Sequence, residues 1–329
     1  MEYLQPSCTD PRWNLALEEY LFTRTDRSAD YFMLWQNDNT VVVGKNQNVA
    51  EEVNEPLARR EQVRVVRRLS GGGAVYHDLG NLNFTFIADA RRFEQINFTR
   101  FCQPITDALR SMGVPAQISG RNDLTIGGKK FSGNAQWIQG GRVLHHGTLL
   151  FSSDLDRAAR LLRAGSKDIR SAAIKSVSSR ITNIRDHLAQ PVTLQEFKAL
   201  LCRHILGPHH PGPISLSPQA LGEVEELKRA RYDTWEWNYG RSPRYQTEKA
   251  GWFSGCGYVK VSMDVEESVI RAIRFTGDFF GSGEVERLEE GLTGCRMEYG
   301  CLAARLRELS LSWYISHMEP ETLAELILS

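Results

Sequence analysis

Three glycines in a row between two strand-like runs constrain this chain more than any other feature in it. The stretch reads Arg67-Arg68-Leu69-Ser70-Gly71-Gly72-Gly73-Ala74-Val75-Tyr76-His77-Asp78. The apolar run Val63-Arg64-Val65-Val66 precedes it and Asn83-Phe84-Thr85-Phe86-Ile87 follows it. Consecutive glycines strip every side chain from one patch of backbone. A ligand can then approach the amide groups closely, and dihedrals that other residues resist become accessible. Two arginines stand before the patch, and a serine, a histidine and an aspartate surround it. Bare amides beside fixed cations suit an anion such as a phosphate or a carboxylate. A glycine-rich hairpin whose arginines face solvent accounts for the same residues. The spacing is neither that of a Walker loop nor that of a dinucleotide fingerprint.

The chain around this stretch is long enough, at 329 residues, for one large and one small domain. Forty basic side chains balance forty acidic ones, which argues against a general nucleic-acid binder and leaves room for a local basic pocket. No apolar run of about 18 residues occurs, so no membrane span is expected. The start, Met1-Glu2-Tyr3-Leu4-Gln5-Pro6, lacks the charged-then-apolar pattern of a signal peptide. Cys8, Cys102, Cys202, Cys256, Cys295 and Cys301 are scattered without a Cys-x-x-Cys pair. Free thiols spread in this way point to a reducing, cytoplasmic setting and away from a disulfide scaffold or a zinc site.

The spacing predicts a first helix opened by Asp10 and Pro11, with Trp13, Leu17, Tyr20 and Leu21 as its apolar stripe. Tyr31 to Trp35 and Thr40 to Val43 read as strands joined by the polar turn Gln36-Asn37-Asp38-Asn39. Gly44-Lys45-Asn46-Gln47-Asn48 reads as a polar loop bordering a pocket, and Thr99 to Met112 as a helix in spite of Pro104. Gly127-Gly128 and Gly140-Gly141 then mark two tight reversals. Gly-Gly favours the primed turns that match strand twist, so the segment from Leu124 to Leu150 is expected to be an antiparallel meander. Alternation along it puts Lys130 on the face opposite Lys129 and Phe131. Leu155 to Leu162 and Glu196 to Ile205 read as helices, and the three prolines of Gly207 to Pro213 deny that segment a helix or a central strand. A second unit is expected from about Glu248. It holds the hairpin Tyr258 to Val265 with Val269 to Phe275, then helices Val285 to Leu292 and Met297 to Leu309.

Three polar constellations accompany the glycine stretch: Gly120-Arg121-Asn122-Asp123-Leu124, Gly128-Lys129-Lys130-Phe131-Ser132-Gly133-Asn134-Ala135-Gln136, and Leu144-His145-His146-Gly147-Thr148-Leu149-Leu150. A lysine held in a strand beside glycines is a fixed point charge for a carboxylate or a phosphate. Asp123 suits a magnesium ion carried on ATP phosphates. His145 and His146 are neighbours and point to opposite sides of a strand, which is poor geometry for two ligands of one metal. Taken together, these motifs favour a site that activates an anion.

Read in this order, the motifs closely resemble the lipoate–protein ligase A family. The resemblance spans nearly the whole chain and includes Lys175-Ser176-Val177-Ser178-Ser179-Arg180-Ile181-Thr182-Asn183 and the Trp235-Glu236-Trp237-Asn238 stretch. It implies the α/β fold of biotin and lipoate ligases: a large catalytic domain over 1–243 with a mixed, largely antiparallel sheet, and a small accessory α/β domain over 248–329. The implied reaction has two steps. Lipoate and Mg-ATP give lipoyl-adenylate and pyrophosphate; the lipoyl group then passes to a lysine of an acceptor domain. The acceptors implied are the apo-lipoyl domains of 2-oxoacid dehydrogenase complexes and the glycine-cleavage H protein. No tightly bound cofactor, nucleic acid or membrane is implied, and a monomer suffices.

By the same resemblance, Lys130 is the catalytic lysine and contacts both the lipoyl carbonyl and the adenylate phosphate. Arg68, Gly73, Ala74, Val75, Tyr76, Asp123 and Arg180 line the ATP and adenylate site. Ser70, Gly71, Gly72, His77 and His146 shape the lipoyl pocket, and Asp123 is the magnesium-side residue. Carboxylate and ATP repel each other, so fixed positive charge must offset their approach. Two other readings stand beside this one. An octanoyl or lipoyl transferase of the same fold works through a cysteine thioester without ATP, and Cys102 is the thiol nearest such a role, although its amphipathic helix favours burial. A non-catalytic protein that binds lipoyl domains is the other. The short connection Gly240-Arg241-Ser242-Pro243 is expected to act as a hinge between the domains.

Overall fold

Asp10 starts the first helix as its chemistry dictates: its Oδ1 accepts a hydrogen bond from the Arg12 amide at 3.1 Å, and Pro11 occupies the first helical position of Pro11–Thr23. Leu15, Leu17, Leu21 and Phe22 of this helix are buried, and so are Asn14, Glu18 and Glu19. The computed structural model describes residues 1–92, 98–120, 122–162, 180–239, 247–266 and 268–329. By contact density the chain divides into two compact units. One comprises Met1–Val43, Ala50–Arg67 and Ala74–Asn238; the other comprises Gly44–Val49, Arg68–Gly73 and Tyr239–Ser329. Two short N-terminal segments, the glycine loop among them, thus group with the C-terminal residues.

The first unit carries a seven-stranded sheet of β1 (Glu2–Leu4), β2 (Tyr31–Trp35), β6 (Asn81–Asp89), β7 (Ala116–Ser119), β8 (Asp123–Ile126), β9 (Lys129–Gln139) and β10 (Arg142–Leu150). Their order is β1-β2-β6-β10-β9-β8-β7, antiparallel throughout except for the parallel β1–β2 pair. A smaller sheet runs β4 (Arg64–Arg67), β3 (Thr40–Val43), β5 (Val75–His77). The two strands joined by the turn Gln36 to Asn39 therefore belong to different sheets. The reason is burial: every residue of β2 and β3 is enclosed, so each needs its own strand neighbours, and the turn's Asn37 is itself buried and bonded.

The meander forms as its glycines require. Gly127, Gly128, Gly140 and Gly141 all take positive φ, between 56° and 79°, which turns β8 into β9 and β9 into β10. The helix Phe98–Ser111 keeps Pro104 inside it and packs Phe101, Cys102, Ile105 and Leu109 against Phe84, Phe86, Phe131 and Val143. The helix Leu194–Leu206 opens with a capping box between Thr193 and Glu196 and adds Phe197 and Leu201 to this core. The helix Pro218–Leu227, capped by Ser217, was not legible in the sequence, and neither was β5.

Arg67, the last residue of β4, is 1% exposed. Its Nε donates to Trp237 O at 2.9 Å and a terminal nitrogen donates to Asn238 O at 3.0 Å. In return the Trp237 indole donates to Arg67 O at 2.9 Å, and Asn238 Oδ1 accepts from the Arg67 amide at 2.9 Å. The Trp-Glu-Trp-Asn stretch is therefore a clamp on one arginine.

The second unit has a sheet of β11 (Thr247–Phe253), β12 (Gly257–Glu266) and β13 (Val269–Gly277) in that order, all antiparallel. The expected hairpin is β12 with β13, and β11 adds a strand to it. Helices Val285–Leu292, Tyr299–Glu308 and Pro320–Leu328 contribute Leu288, Leu302, Leu306 and Ile327 to a core with Val259, Val261 and Phe275.

Asn238→Ala removes the amide that accepts from Arg67 and that donates to Tyr232 O and Thr234 O. It is expected to cost about 3 kcal/mol in urea denaturation, as for a buried polar cluster left unpaired. A loss below about 0.5 kcal/mol, the range of an ordinary surface change, would refute the clamp.

Candidate functional site

The three glycines do different things. A Cβ on Gly71 would lie 2.3 Å from Phe279 O, so the chain itself requires the missing side chain there. Gly72 holds φ at +88°, with the Phe280 ring about it. Gly73 alone faces open space, with nothing within 4 Å of a Cβ. Two of the three are thus explained by packing within the second unit, and the third leaves its backbone open. Arg68 turns onto its own loop: its guanidinium donates to Ser70 Oγ at 3.0 Å, to Gly71 O at 2.6 Å and to Gly73 O at 2.8 Å. Ser70 is buried, and its carbonyl accepts from the Lys45 amide at 2.8 Å. Lys45 pairs with Glu284 at 2.7 Å, which ties the expected polar loop Gly44 to Asn48 into the same unit.

In the first unit, β9 sets Lys130. A bulge between Leu124 and Thr125 of β8 puts Lys130 opposite Thr125 and Ser132 opposite Leu124, with Phe131 fully buried in the core. The Lys130 amide donates to Arg180 O at 2.7 Å and its carbonyl accepts from Thr182 N at 2.9 Å, so both of its main-chain hydrogen-bonding groups are held by the segment around Ile181. Its Nζ lies 2.8 Å from Asp123 Oδ1, both side chains being a little over a third exposed. The aliphatic end of Lys130 passes over Gly133, where a Cβ would stand 3.0 Å from Cε and Nζ. Lys129, one position earlier at the start of β9, is exposed although alternation places it with the buried Phe131; the register shift of β9 falls at this point. Asn122 and Asn134 exchange side-chain-to-carbonyl bonds at 2.6 and 2.9 Å and fix the turn ahead of Asp123. Among the described residues no group of three or more His, Cys, Asp or Glu is arranged to hold a metal ion.

The pair His145-His146 on β10 splits across the sheet as expected. His145 is buried among Phe84, Phe98 and Phe101, with its Nε2 3.8 Å from Cys102 Sγ. Burial holds this imidazole well below its ordinary pKa and pushes the Cys102 thiol up to about 12. Both groups are neutral, so no thiolate is available there. His146 faces the other way, its Nδ1 3.0 Å from Glu18 Oε1. The same carboxylate accepts from Thr85 Oγ1, which in turn accepts from the Trp35 indole at 2.9 Å. The Trp35 ring stands edge-on to His77 at 6.4 Å. His77 lies on β5 beside Tyr76, Val75 and Ala74. The Tyr76 ring is buried against Arg157, and desolvation pushes its hydroxyl up to about 12, so it stays protonated and faces Asn39 Oδ1 at 3.4 Å.

The structure therefore brings Lys130, Asp123 and Arg180 together, and sets His77 and His146 around Trp35. Arg68, Ser70, Gly71, Gly72 and Gly73 form their own cluster in the second unit. Lys175 to Ser179, Arg121 and the connection Gly240 to Pro243 lie outside the described residues. The sequence reading passed over Glu18, Thr85, Trp35 and Asn37. One signal was present: Asn14 and Glu18 are spaced i, i+4, so two polar side chains share a face within an otherwise apolar helix.

A family model described as the lipoyl protein ligase A/B catalytic domain matches residues 10–206, and one described as the bacterial lipoate protein ligase C-terminus matches 242–327. The chain is 40% identical over 319 residues to lipoate–protein ligase 1 of Staphylococcus aureus, with 97% of each chain covered. It is 38% identical to lipoate-protein ligase LplJ of Bacillus subtilis, again over 97% of each. Among solved structures, Plasmodium falciparum LipL1 in complex with lipoate shares the fold, with a TM-score of 0.78 over 99% of this chain and 98% of that one at 21% identity. A lipoate-protein ligase A bound with ATP matches with a TM-score of 0.62 at 25% identity, covering 73% of this chain and 99% of that one. The bi-partite ligase of Thermoplasma acidophilum, described with its E2 lipoyl domain, matches with a TM-score of 0.65 at 26% identity, covering 75% of this chain and all of that one.

Two glycine substitutions separate packing from pocket. A Cβ on Gly147 would meet Asn134 Oδ1 at 2.2 Å and the Phe84 ring at 2.6 Å, so Gly147→Ala is expected to destabilise the fold by about 3 kcal/mol. Gly133→Ala meets only the mobile end of Lys130 and should leave the denaturation midpoint within about 0.5 kcal/mol of the parent. Equal losses for the two would overturn the placement of Lys130 over Gly133.

Proposed function

The chain belongs to the lipoyl protein ligase A/B family, and from that membership we propose that it joins lipoate to a lysine of an acceptor domain at the expense of ATP. The observation that carries this reading is Lys130. It is a lysine on an interior strand, with its main-chain amide and carbonyl both bonded and its ammonium paired with a carboxylate at 2.8 Å. Such a group can exchange Asp123 for the lipoyl carboxylate and then for the adenylate phosphate, and its half-exposed ion pair costs little to break. In the first step a lipoate oxygen attacks the α-phosphorus of ATP and pyrophosphate leaves. In the second, the acceptor amine attacks the lipoyl carbonyl and AMP leaves. Lys130 offsets the negative charge that gathers at both stages.

Gly73 and the Ala74, Val75 and Tyr76 backbone, with Arg68 and Arg180, are assigned to the nucleotide. Ser70, Gly71, Gly72, His77 and His146 are assigned to the acyl chain. Magnesium arrives with ATP as part of the substrate; Asp123 is the carboxylate placed to join its shell, and phosphates and water supply the rest. Apo-lipoyl domains of 2-oxoacid dehydrogenases and the glycine-cleavage H protein are the proposed acceptors. The archaeal neighbour described with its E2 lipoyl domain supports that choice. Residues 1–243 would carry the chemistry and 248–329 would serve as the accessory part, in a cytoplasmic monomer; among the described residues no helix is long and apolar enough to cross a membrane. A cysteine-based transferase is disfavoured, because burial keeps the Cys102 thiol protonated and encloses it in the core.

Lys130→Ala is expected to lower pyrophosphate release from lipoate and ATP by about a hundredfold, the scale of losing one preorganised charge, while Lys129→Ala changes it by less than about threefold. Cys102→Ser should retain activity. Equal losses at the two lysines would remove Lys130 from its role, and transfer that depends on Cys102 without ATP would replace the ligase reading with the transferase.

Asp123→Asn should raise the magnesium concentration needed for half-maximal adenylation, because it takes a charged oxygen from a hard cation. Transfer from preformed lipoyl-adenylate should suffer less. An unchanged magnesium titration would assign Asp123 to the ion pair with Lys130 alone.

A further inference from the structure

Asn14, Asn37 and His77 are buried in the first unit and bonded in a line whose direction is fixed from one end. A backbone carbonyl only accepts, so the Asn14 atom that lies 3.1 Å from Cys8 O and 2.9 Å from Gln36 O is its amide nitrogen. The two hydrogens of that nitrogen are shared among three acceptors, the third being Asn37 Oδ1 at 3.0 Å; only an oxygen can face it, which turns Asn37 Nδ2 toward His77 Nδ1 at 3.1 Å. From the other side Asn83 Nδ2 approaches the same ring nitrogen at 3.5 Å, its own Oδ1 accepting from Asn81 Nδ2 at 2.9 Å. Two amide donors converge on one nitrogen. A proton on Nδ1 would set N–H against N–H among buried side chains. The lone pair therefore sits on Nδ1 and the proton on Nε2.

We propose that Asn37, oriented by Asn14, is a positioning residue that fixes His77 as the neutral Nε2–H tautomer, so that the ring offers an uncharged hydrogen-bond donor to the acyl substrate. The substrate part of this proposal rests on the assignment of His77 to the lipoyl pocket made above. An uncharged donor suits a ligand with an apolar chain and few polar atoms, since an imidazolium beside that chain would be costly to desolvate. His146 carries the opposite setting. Its Nδ1 faces the Glu18 carboxylate at 3.0 and 3.1 Å, and a carboxylate accepts, so there the proton sits on Nδ1. Trp35 lies between the two rings, bonded through Thr85 to Glu18 and edge-on to His77.

The test is the ring-nitrogen pattern of the full chain, labelled with ¹⁵N-imidazole histidine in a deuterated background and read by long-range ¹H–¹⁵N correlation without substrate. His77 is assigned by the pattern lost in His77→Gln. The expected result is a non-protonated Nδ1 and a protonated Nε2 at His77, with Nδ1 protonated at His146. Asn37→Asp places an acceptor where the donor stood and should move the His77 proton to Nδ1. It should also raise KM for lipoate about tenfold, the scale of one hydrogen bond to a buried group, with KM for ATP unchanged. A proton on Nδ1 of His77 in the parent protein, or a doubly protonated ring, overturns the proposal. The parent spectrum decides this even where Asn37→Asp fails to fold. Because the pattern is read without substrate, a correct tautomer in a protein that does not adenylate lipoate would refute the functional reading alone.

Discussion

Burying a guanidinium is the constraint from which the rest of the first unit follows. Arg67 has left water almost entirely, and a desolvated guanidinium is tolerated only where acceptors meet its N–H groups. Its partners come from Trp237 and Asn238, about 170 positions along the chain. Four hydrogen bonds at 2.9 to 3.0 Å close that distance. A loop closed over so many residues costs only slowly more entropy as it lengthens, so a small set of well-directed bonds can hold it. The consequence is local: β4 ends at a fixed point, and the glycine loop leaves from it.

Much of the fold was legible because its signals are backbone signals. Asp10 with Pro11 and the paired glycines at 127–128 and 140–141 each demand one geometry, and each adopts it. What the sequence did not disclose is which strands pair. β2 and β3 adjoin in the chain and look like a hairpin, yet their two buried faces send them to different sheets. β5 has three residues, too few for any periodicity. The glycine triplet was legible as bare backbone but not as to its cause. Nothing in the letters says that Gly71 yields to a carbonyl of Phe279 while Gly73 yields to nothing.

The site was legible as residue types and illegible as contacts. Lys130, Asp123, His77 and His146 stand out by composition and neighbourhood. Their partners Glu18, Thr85, Trp35 and Asn37 do not, because a buried polar residue in a helix or turn looks like any other until something is seen to accept from it or donate to it. The pairs decide the chemistry all the same. Two histidines of one unit are set in opposite protonation patterns by amide donors on one and a carboxylate on the other, and a third, His145, is held below its ordinary pKa first by burial.

A strand is a better place than a loop for the lysine that an adenylation reaction needs. Positioning contributes to rate only if the charge is already where the transition state will develop it, and a side chain on a hydrogen-bonded strand has little freedom left to lose at its root. Lys130 adds a further economy. While no anion is bound, its ammonium is paired with Asp123 and is not left to collect solvent ions. The pair is partly exposed, so it contributes at most about 1 kcal/mol and yields readily to a second carboxylate or a phosphate. Gly133, on the same strand, lacks a side chain where the end of Lys130 passes over it, with Cε and Nζ 3.0 Å from where a Cβ would stand. A lysine held this way can serve two anions in succession without moving its backbone, which is what a reaction passing from carboxylate to mixed anhydride asks of it.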